Sequence, residues 1–283
     1  MPPAAPLTAR TAERGGSALV AYDHGAHLAR WDVGGAPVVW CSDHAVLDGS
    51  RAIRGGVPLC FPWFADGPSG ALAPAHGLVR TTTWTPLTPA GHETWAWTVS
   101  DTDVAGHPGA EHLGGPFALR YAVSLEPRQA QPVLRLSLAV HNPGSRPLRA
   151  EVALHTYLAV GDVTRTQVRG LSGADYLDKV TGERLTHHGP VLIEGETDSV
   201  FDSPGRPRLE VDDGERVLVL TSEGAGQTVV WNPGADKAAG MSDLGDGEWR
   251  DFVCVEAAAT GDLAVEIDAG ATHTLGCAIA VQT

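Results

Sequence analysis

Residues Val133–His141 read VLRLSLAVH, with Leu134, Leu136, Leu138 and Val140 at every second position and Arg135, Ser137 and Ala139 between them. A period of two belongs to a strand with one buried face, because successive side chains of an extended chain point to opposite sides. The pattern spreads in both directions. Upstream it governs Val79–Leu87, Thr94–Ser100 and Phe117–Leu125. Downstream it governs Arg149–Val160, Thr164–Leu171, Val217–Thr221, Thr228–Trp231, Phe252–Ala258, Leu263–Ile267 and Thr272–Val281. Near the N-terminus, Ser17–Tyr22, His27–Asp32 and Pro37–Cys41 are short apolar segments set off by the turns HGAH and VGGAP. No segment reads as an amphipathic helix of about ten residues or more, and at most short helical turns are expected near Asp43–Leu47 and Asp236–Met241. So many turn-punctuated strands predict an all-β protein of two large, mostly antiparallel sheets packed face to face.

Composition agrees. Thirty-four glycines and 20 prolines in 283 residues are too many for a helical bundle and suit short strands joined by turns. Sandwiches commonly exceed about 200 residues as one unit, so a single domain over residues 1–283 is expected, with residues 1–16 poorly ordered. Asp66–Pro74, Val104–Pro116 and Gly182–Pro190 read as insertions between strands. A net charge of −14 argues against nucleic acid and anionic membranes as partners, and admits an anionic small molecule only where arginines gather. MPPAAPLTARTAERGG, residues 1–16, has no apolar signal core, and no run approaches the ~18 apolar residues of a membrane span, so a cytoplasmic chain is expected. Cys41, Cys60, Cys254 and Cys277 form no CxxC pair, which favours neither a zinc site nor a disulfide framework.

Three stretches carry candidate chemistry. Glu151–Asp162, EVALHTYLAVGD, alternates so that Val152, Leu154, Thr156 and Leu158 share one face and Glu151, Ala153, His155, Tyr157 and Ala159 the other. A carboxylate, an imidazole and a phenol with alanines between them suit the wall of a polar cleft, and a hydrogen-bonded structural histidine equally. Arg51–Arg80 pairs Gly55 and Gly56 with Pro58, Pro62 and the aromatic Phe61, Trp63 and Phe64, which read either as a floor for stacking a sugar or as an irregular sheet-edge loop. In Val229–Ala259, Glu256 lies within the apolar FVCVEA, where a carboxylate needs a partner or a purpose and has its pKa raised.

RGGVPLCFPWF, HGLVR, LHTYLAVGDVTRTQVRGLSGADYLDK, ETDSVF, VVWNP and VCVE occur in that order between Arg54 and Glu256. Together they resemble the aldose 1-epimerase superfamily, in its glucose-6-phosphate 1-epimerase (hexose-6-phosphate mutarotase) branch. The resemblance implies a galactose-mutarotase-like β-supersandwich with a sugar bound in an open cleft on one sheet. It implies that His155 and Glu256 are the catalytic pair, that Arg54 and Arg80 hold a phosphate, and that His76 and Asp198 line the sugar site. It implies a phosphosugar as the small-molecule partner and no cofactor or metal; a monomer is expected over an oligomer. The chain departs from the family pattern at Ala75, Leu78, Ser199 and Gly234, positions bearing on sugar preference and phosphate-side contacts.

The implied reaction interconverts the α and β anomers of a hexose 6-phosphate, glucose 6-phosphate first. Opening the ring requires a base for the anomeric hydroxyl proton and an acid for the departing ring oxygen, which assigns Glu256 as base and protonated His155 as acid. Arginine's planar fork suits phosphate oxygens, so Arg51, Arg54 and Arg80 are the candidates at that end, the last two favoured. Two other classes compete. A non-catalytic carbohydrate- or phosphosugar-binding sandwich needs the aromatic floor but no acid–base pair. A cupin-like metal enzyme would draw on His24 with His27 or on the His187–His188 pair, which lack an HxH with a downstream carboxylate.

Overall fold

The computed structural model describes residues 6–126, 132–203 and 208–282. Val133–His141 is a strand with the expected limits, and Leu134, Leu136, Leu138 and Val140 are all buried. It pairs antiparallel with Ala118–Glu126 on one side and Thr272–Gln282 on the other. These three are central in a sheet of nine strands among the described residues. Outward from Thr272–Gln282 the order is Val217–Glu223, Arg208–Asp212, Gln167–Arg169 and Val191–Leu192; outward from Ala118–Glu126 it is Glu93–Ser100 and Thr85–Leu87.

A twelve-stranded sheet faces it, with its centre at Phe252–Ala259. That strand is flanked by Gln227–Asn232 on one side and by Val152–Leu154 and Tyr157–Ala159 on the other. Thr197–Asp202, Asp175–Asp178 and Arg184–Thr186 continue beyond Gln227–Asn232; Ala36–Val39, His27–Val33, Ser17–Tyr22 and Ala9–Arg14 continue beyond Tyr157–Ala159. Leu19, Leu28, Trp31, Leu158, Val230 and Val255 from this sheet and Leu119, Leu134, Leu138, Leu218, Leu275 and Ile279 from the other form one buried core. Leu138→Ala, in the middle of that layer and fully buried, should lower unfolding free energy by about 2 to 5 kcal/mol through lost transfer energy and a residual cavity. The urea midpoint should fall with the slope unchanged.

Several expectations are corrected. Ala9–Arg14 of the supposedly disordered N-terminus is an edge strand paired with Ser17–Tyr22 around the Gly15–Gly16 turn; residues 1–5 lie outside the described residues. Val79–Leu87 is a 3-10 turn at Val79–Thr81 followed by the short strand Thr85–Leu87. The Thr81 and Thr82 hydroxyls both donate to Leu78 O, and the Trp84 indole donates to Val79 O, so local bonds replace the ladder. Arg149–Val160 is three short strands, because its backbone turns aside to bond the preceding loop: Glu151 N–H donates to Pro62 O and His155 N–H to Pro58 O. The Gly182–Pro190 insertion contains the strand Arg184–Thr186, and no helix forms over Asp43–Leu47. The other helical turn is observed, at Gly234–Ala238. No helix among the described residues is long and apolar enough to cross a membrane.

Candidate active site

Alternation in the twelve-stranded sheet sorts each central strand into a core side and a cleft side. In Phe252–Ala259, Val253, Val255, Ala257 and Ala259 join the inter-sheet core, while Phe252, Cys254, Glu256 and Ala258 point the other way. Leu158, Val230 and Phe201 face the core. Tyr157, Trp231 and Asp198 consequently share the side of Glu256. The register between Phe252–Ala259 and its neighbour is the same at Leu154↔Ala257 and at Tyr157↔Cys254, which sets His155 opposite Glu256. The loop from Arg54 to Arg80 closes over this side. Gly55 takes φ +100°, and a Cβ there would stand 2.5 Å from Cys41 Cα, so only glycine lets the loop lie against the sheet.

The result is a cleft of about 430 Å³ lined by Arg54, His76, Arg80, His155, Asp198 and Glu256, all six of the residues singled out from sequence. His155 Nδ1 lies 3.4 Å from Glu256 Oε1 without a hydrogen bond. That nitrogen and both glutamate oxygens are buried without a partner among the described residues, and His155 and Glu256 are only 6% and 1% exposed. Polar atoms left in this way destabilise the fold unless something enters the cleft to bond them. His76 stands edge-on to His155 at 5.4 Å and has φ +61°, a left-handed backbone conformation uncommon outside glycine. Its Nδ1 accepts from Ala65 N–H at 3.3 Å, which leaves Nε2 to carry the proton of the neutral ring.

Burial, reinforced by Arg80 and Arg54, pulls the His155 imidazole down to about 3. Protonated His155, assigned above as the acid, is therefore disfavoured in the unliganded protein, because a cation in this site loses its solvation and faces two arginines. Burial, with Asp198 nearby, pushes Glu256 well above the carboxylate range. Both shifts favour the neutral side chains over the imidazolium–carboxylate pair. Burial also lowers His76, with Arg80 and His155 adding to the effect. Burial raises Asp198 although Lys179, 3.7 Å away, opposes the shift.

At the arginine end, Arg54 donates through Nε and Nη2 to Asp243 at 3.2 and 3.3 Å and through Nη1 to the Tyr157 hydroxyl at 3.0 Å. Burial lowers its pKa, but Tyr157 and Asp243 outweigh that and hold it above its ordinary value. Three of its five N–H groups are thereby used, and the remaining two belong to Nη1 and Nη2. Arg80 donates from Nη2 to Ala75 O at 2.7 Å, while its Nε is buried without a partner among the described residues.

Other candidates separate from the site. Phe61 and Trp63 are core residues, packed against Phe117 and bonded to Pro74 O respectively, so the expected aromatic floor reduces to Phe64, with Trp231 supplying a second ring. Arg51 is exposed and reaches Ser242 instead. Glu151 is structural, its carboxylate accepting Phe64 N–H and Gly261 N–H, both at 2.7 Å. Among the described residues no cluster of three His, Cys, Asp or Glu side chains is arranged to hold a metal ion. Lys179, Trp231 and Asp243 carry no role in the sequence reading, whereas Tyr157 stands there as the phenol of the cleft wall. Tyr157 and Lys179 lie within the quoted LHTYLAV and ADYLDK segments, and a reading by alternation from His155 reaches the first. Asp243 meets Arg54 across 189 positions, and no local pattern signals that.

The aldose 1-epimerase family profile matches residues 9–280. A protein of Cenchrus ciliaris named "putative glucose-6-phosphate 1-epimerase" is 32% identical over 252 residues, covering 84% of this chain and 74% of that one. A protein of the same name from Escherichia coli K12 is 31% identical over 245 residues, 83% and 77% of the two chains. A solved structure described as a putative mutarotase, from Salmonella typhimurium, superposes with a TM-score of 0.81 at 23% identity, covering 98% of this chain and 94% of that one. A galactose mutarotase-like protein from Clostridium acetobutylicum gives 0.71 at 13% identity over 98% and 99%. These last two share the fold, and the twin antiparallel sheets are those of galactose mutarotase-like proteins. With the profile spanning nearly its whole length, the chain belongs to the aldose 1-epimerase family.

Proposed function

We propose that this protein is a hexose-6-phosphate mutarotase, interconverting the α and β anomers of glucose 6-phosphate or a close relative without a cofactor. The observation that carries the reading is the convergence of Arg54 and Arg80 on the cleft that holds His155 and Glu256, with Arg80 Nε buried and unpartnered among the described residues. A phosphate with nearly two negative charges would be repelled by a chain of net charge −14 unless cations met it locally. Two guanidinium groups at one end of the cleft do this, and the names of the two relatives point to the same substrate class.

His155 and Glu256 share one proton. With the sugar over them, Glu256 as carboxylate takes the proton of the anomeric O1–H while imidazolium His155 gives one to the ring oxygen, and the C1–O5 bond breaks. Rotation about C1–C2 turns the aldehyde over. The two transfers then run backwards, closing the ring from the other face and restoring both groups. His76 and Asp198 bond hydroxyls along the ring, and Phe64 and Trp231 supply apolar faces.

The pH dependence separates this pair from ordinary side chains. A sequence reading puts the acid limb of the rate at ionisation of Glu256 and the alkaline limb at deprotonation of His155. The structure reverses the limbs. Turnover needs one proton on the pair: with the imidazole held at about 3, a second proton arrives only below that, and the only proton leaves above the raised Glu256 value. The pH profile of kcat/KM for glucose, which carries no phosphate to titrate at about 6, should therefore stay level through 4.5, the ordinary glutamate value, falling only in stronger acid and again in base. A limb centred near 4.5 would count against a buried, shared proton.

Exchange spectroscopy of the two anomers tests the proposal as a whole. Glucose 6-phosphate should equilibrate in the presence of catalytic protein at a much higher kcat/KM than glucose. Equal efficiencies would remove the phosphosugar, and no acceleration of either would leave a binding sandwich.

A further inference from the structure

One side chain joins the two ends of the cleft, and the chemistry above gives it no task. The Tyr157 hydroxyl accepts Arg54 Nη1–H at 3.0 Å, and its ring lies on the His155 ring with centroids 5.0 Å apart and planes within 11°. Tyr157 is 1% exposed and boxed in by Trp40, Phe252 and Trp231. It cannot move without moving its neighbours. Arg54 is pinned on its far edge by Asp243, and His155 stands 3.4 Å from Glu256. A continuous line of contacts therefore runs from the arginine end through Tyr157 to the acid–base pair.

We propose that Tyr157 is a positioning residue that couples anion binding at Arg54 and Arg80 to the His155–Glu256 pair, so that a phosphate-like dianion activates anomer exchange even when it is not attached to the sugar. This rests on the phosphosugar reading and adds that the phosphate is an activator as well as a handle. The direction follows from placement. The charged or titratable groups facing His155 are Glu256, His76, Arg80, Arg54, Tyr157 and Lys179. Arg54 reaches the pair on its His155 side, bonded to the Tyr157 hydroxyl whose ring stacks on the imidazole, whereas Arg80 and Lys179 weigh on both members. A dianion at the arginine end offsets the charge that opposes protonation of His155. The proton passes from Glu256 to His155 Nδ1 with no change in the pair's net charge, giving the state that opens the ring. Binding energy from a remote group is then used in the chemical step, not only in holding the substrate.

The test is enzymatic anomer exchange of glucose in the presence of inorganic phosphite, with the enzyme-free rate subtracted at each concentration. Wild type should show saturable activation of about tenfold or more, and the His155 ring nitrogens should move towards the imidazolium shift as phosphite binds. Tyr157→Phe keeps the ring and loses the bond to Arg54; its activation ratio should fall below about twofold, with phosphite still bound and the His155 shift lost. Arg54→Lys, at saturating phosphite, should lose activation in the same way, which keeps the test open should the tyrosine variant fold poorly. Phosphite that binds without activating wild type, or that activates Tyr157→Phe as strongly, overturns the coupling while the phosphosugar reading stands. Failure of phosphite to bind, together with no preference for glucose 6-phosphate, overturns both.

Discussion

Glu256→Gln should give a folded protein whose catalysed anomer exchange of glucose 6-phosphate is slower by roughly 10² to 10⁴-fold, the ordinary contribution of a general acid–base group. Glutamine matches the volume of the carboxyl but can neither take the anomeric proton nor return it. Folding should be spared, because Glu256 is 1% exposed in an apolar strand, where burial favours the neutral form that an amide imitates. An amide at this position removes no buried charge pair. His155→Ala should act to the same extent by removing the partner at the ring oxygen. Because one proton serves both groups, the double variant should be hardly slower than either single one. Full multiplication of the two losses would mean that the residues act separately, and a single variant with nearly full activity would remove that residue from the chemistry. Both outcomes are read from exchange rates above the enzyme-free background, with circular dichroism checking the fold.

Arg80→Ala and Arg54→Ala should each collapse the ratio of kcat/KM for glucose 6-phosphate over glucose by roughly 30-fold to several thousand-fold, about 2 to 5 kcal/mol. Arg80 brings a buried Nε with no partner among the described residues and an Nη2 fixed by Ala75 O, so its orientation precedes the ligand. Arg54 is equally pre-set by Asp243 and Tyr157, with two N–H groups to spare. Such preorganisation leaves little ordering to be done on binding, which is why removing either fork should matter so much. The ratio is the diagnostic quantity because general damage to the cleft lowers both activities together. It should also shrink with ionic strength in wild type and shrink less in the variants. An unchanged ratio would make these arginines structural.

What could be read beforehand was whatever lies in local pattern. Leu134, Leu136, Leu138 and Val140 announced a strand because their neighbours in space simply repeat the alternation, and Glu256 announced itself as a charge where the pattern demands an apolar residue. Burial of the glutamate implied the direction of its pKa. The histidine is pushed towards its neutral form first by its own burial, with Arg80 and Arg54 adding to it from a distant part of the chain, and no local pattern signals either. Thr197–Asp202 gives a weak strand signal because Asp198, Ser199 and Asp202 break its alternation, and Arg208–Asp212 because its strict alternation lasts only five residues; the sheet fixes both. Phe61 and Trp63 looked like a sugar floor by composition, yet composition does not say which side of a loop a ring turns to. The rings bury inward and leave Phe64 and Trp231 to the cleft.

The sorting of Phe252–Ala259 into a core side and a cleft side has an evolutionary corollary. Stability and reactivity are written on the same eight residues in alternate positions. Substitution at Val253, Val255 or Ala257 should be felt in melting behaviour, whereas substitution at Cys254 or Glu256 should be felt in turnover or selectivity. The two properties can then drift independently under point mutation. Insertion or deletion of one residue is a different matter, since it would exchange the two sets and present valines to the substrate and a glutamate to the core. Descendants of such a strand can change what they accept one side chain at a time, while its length stays fixed.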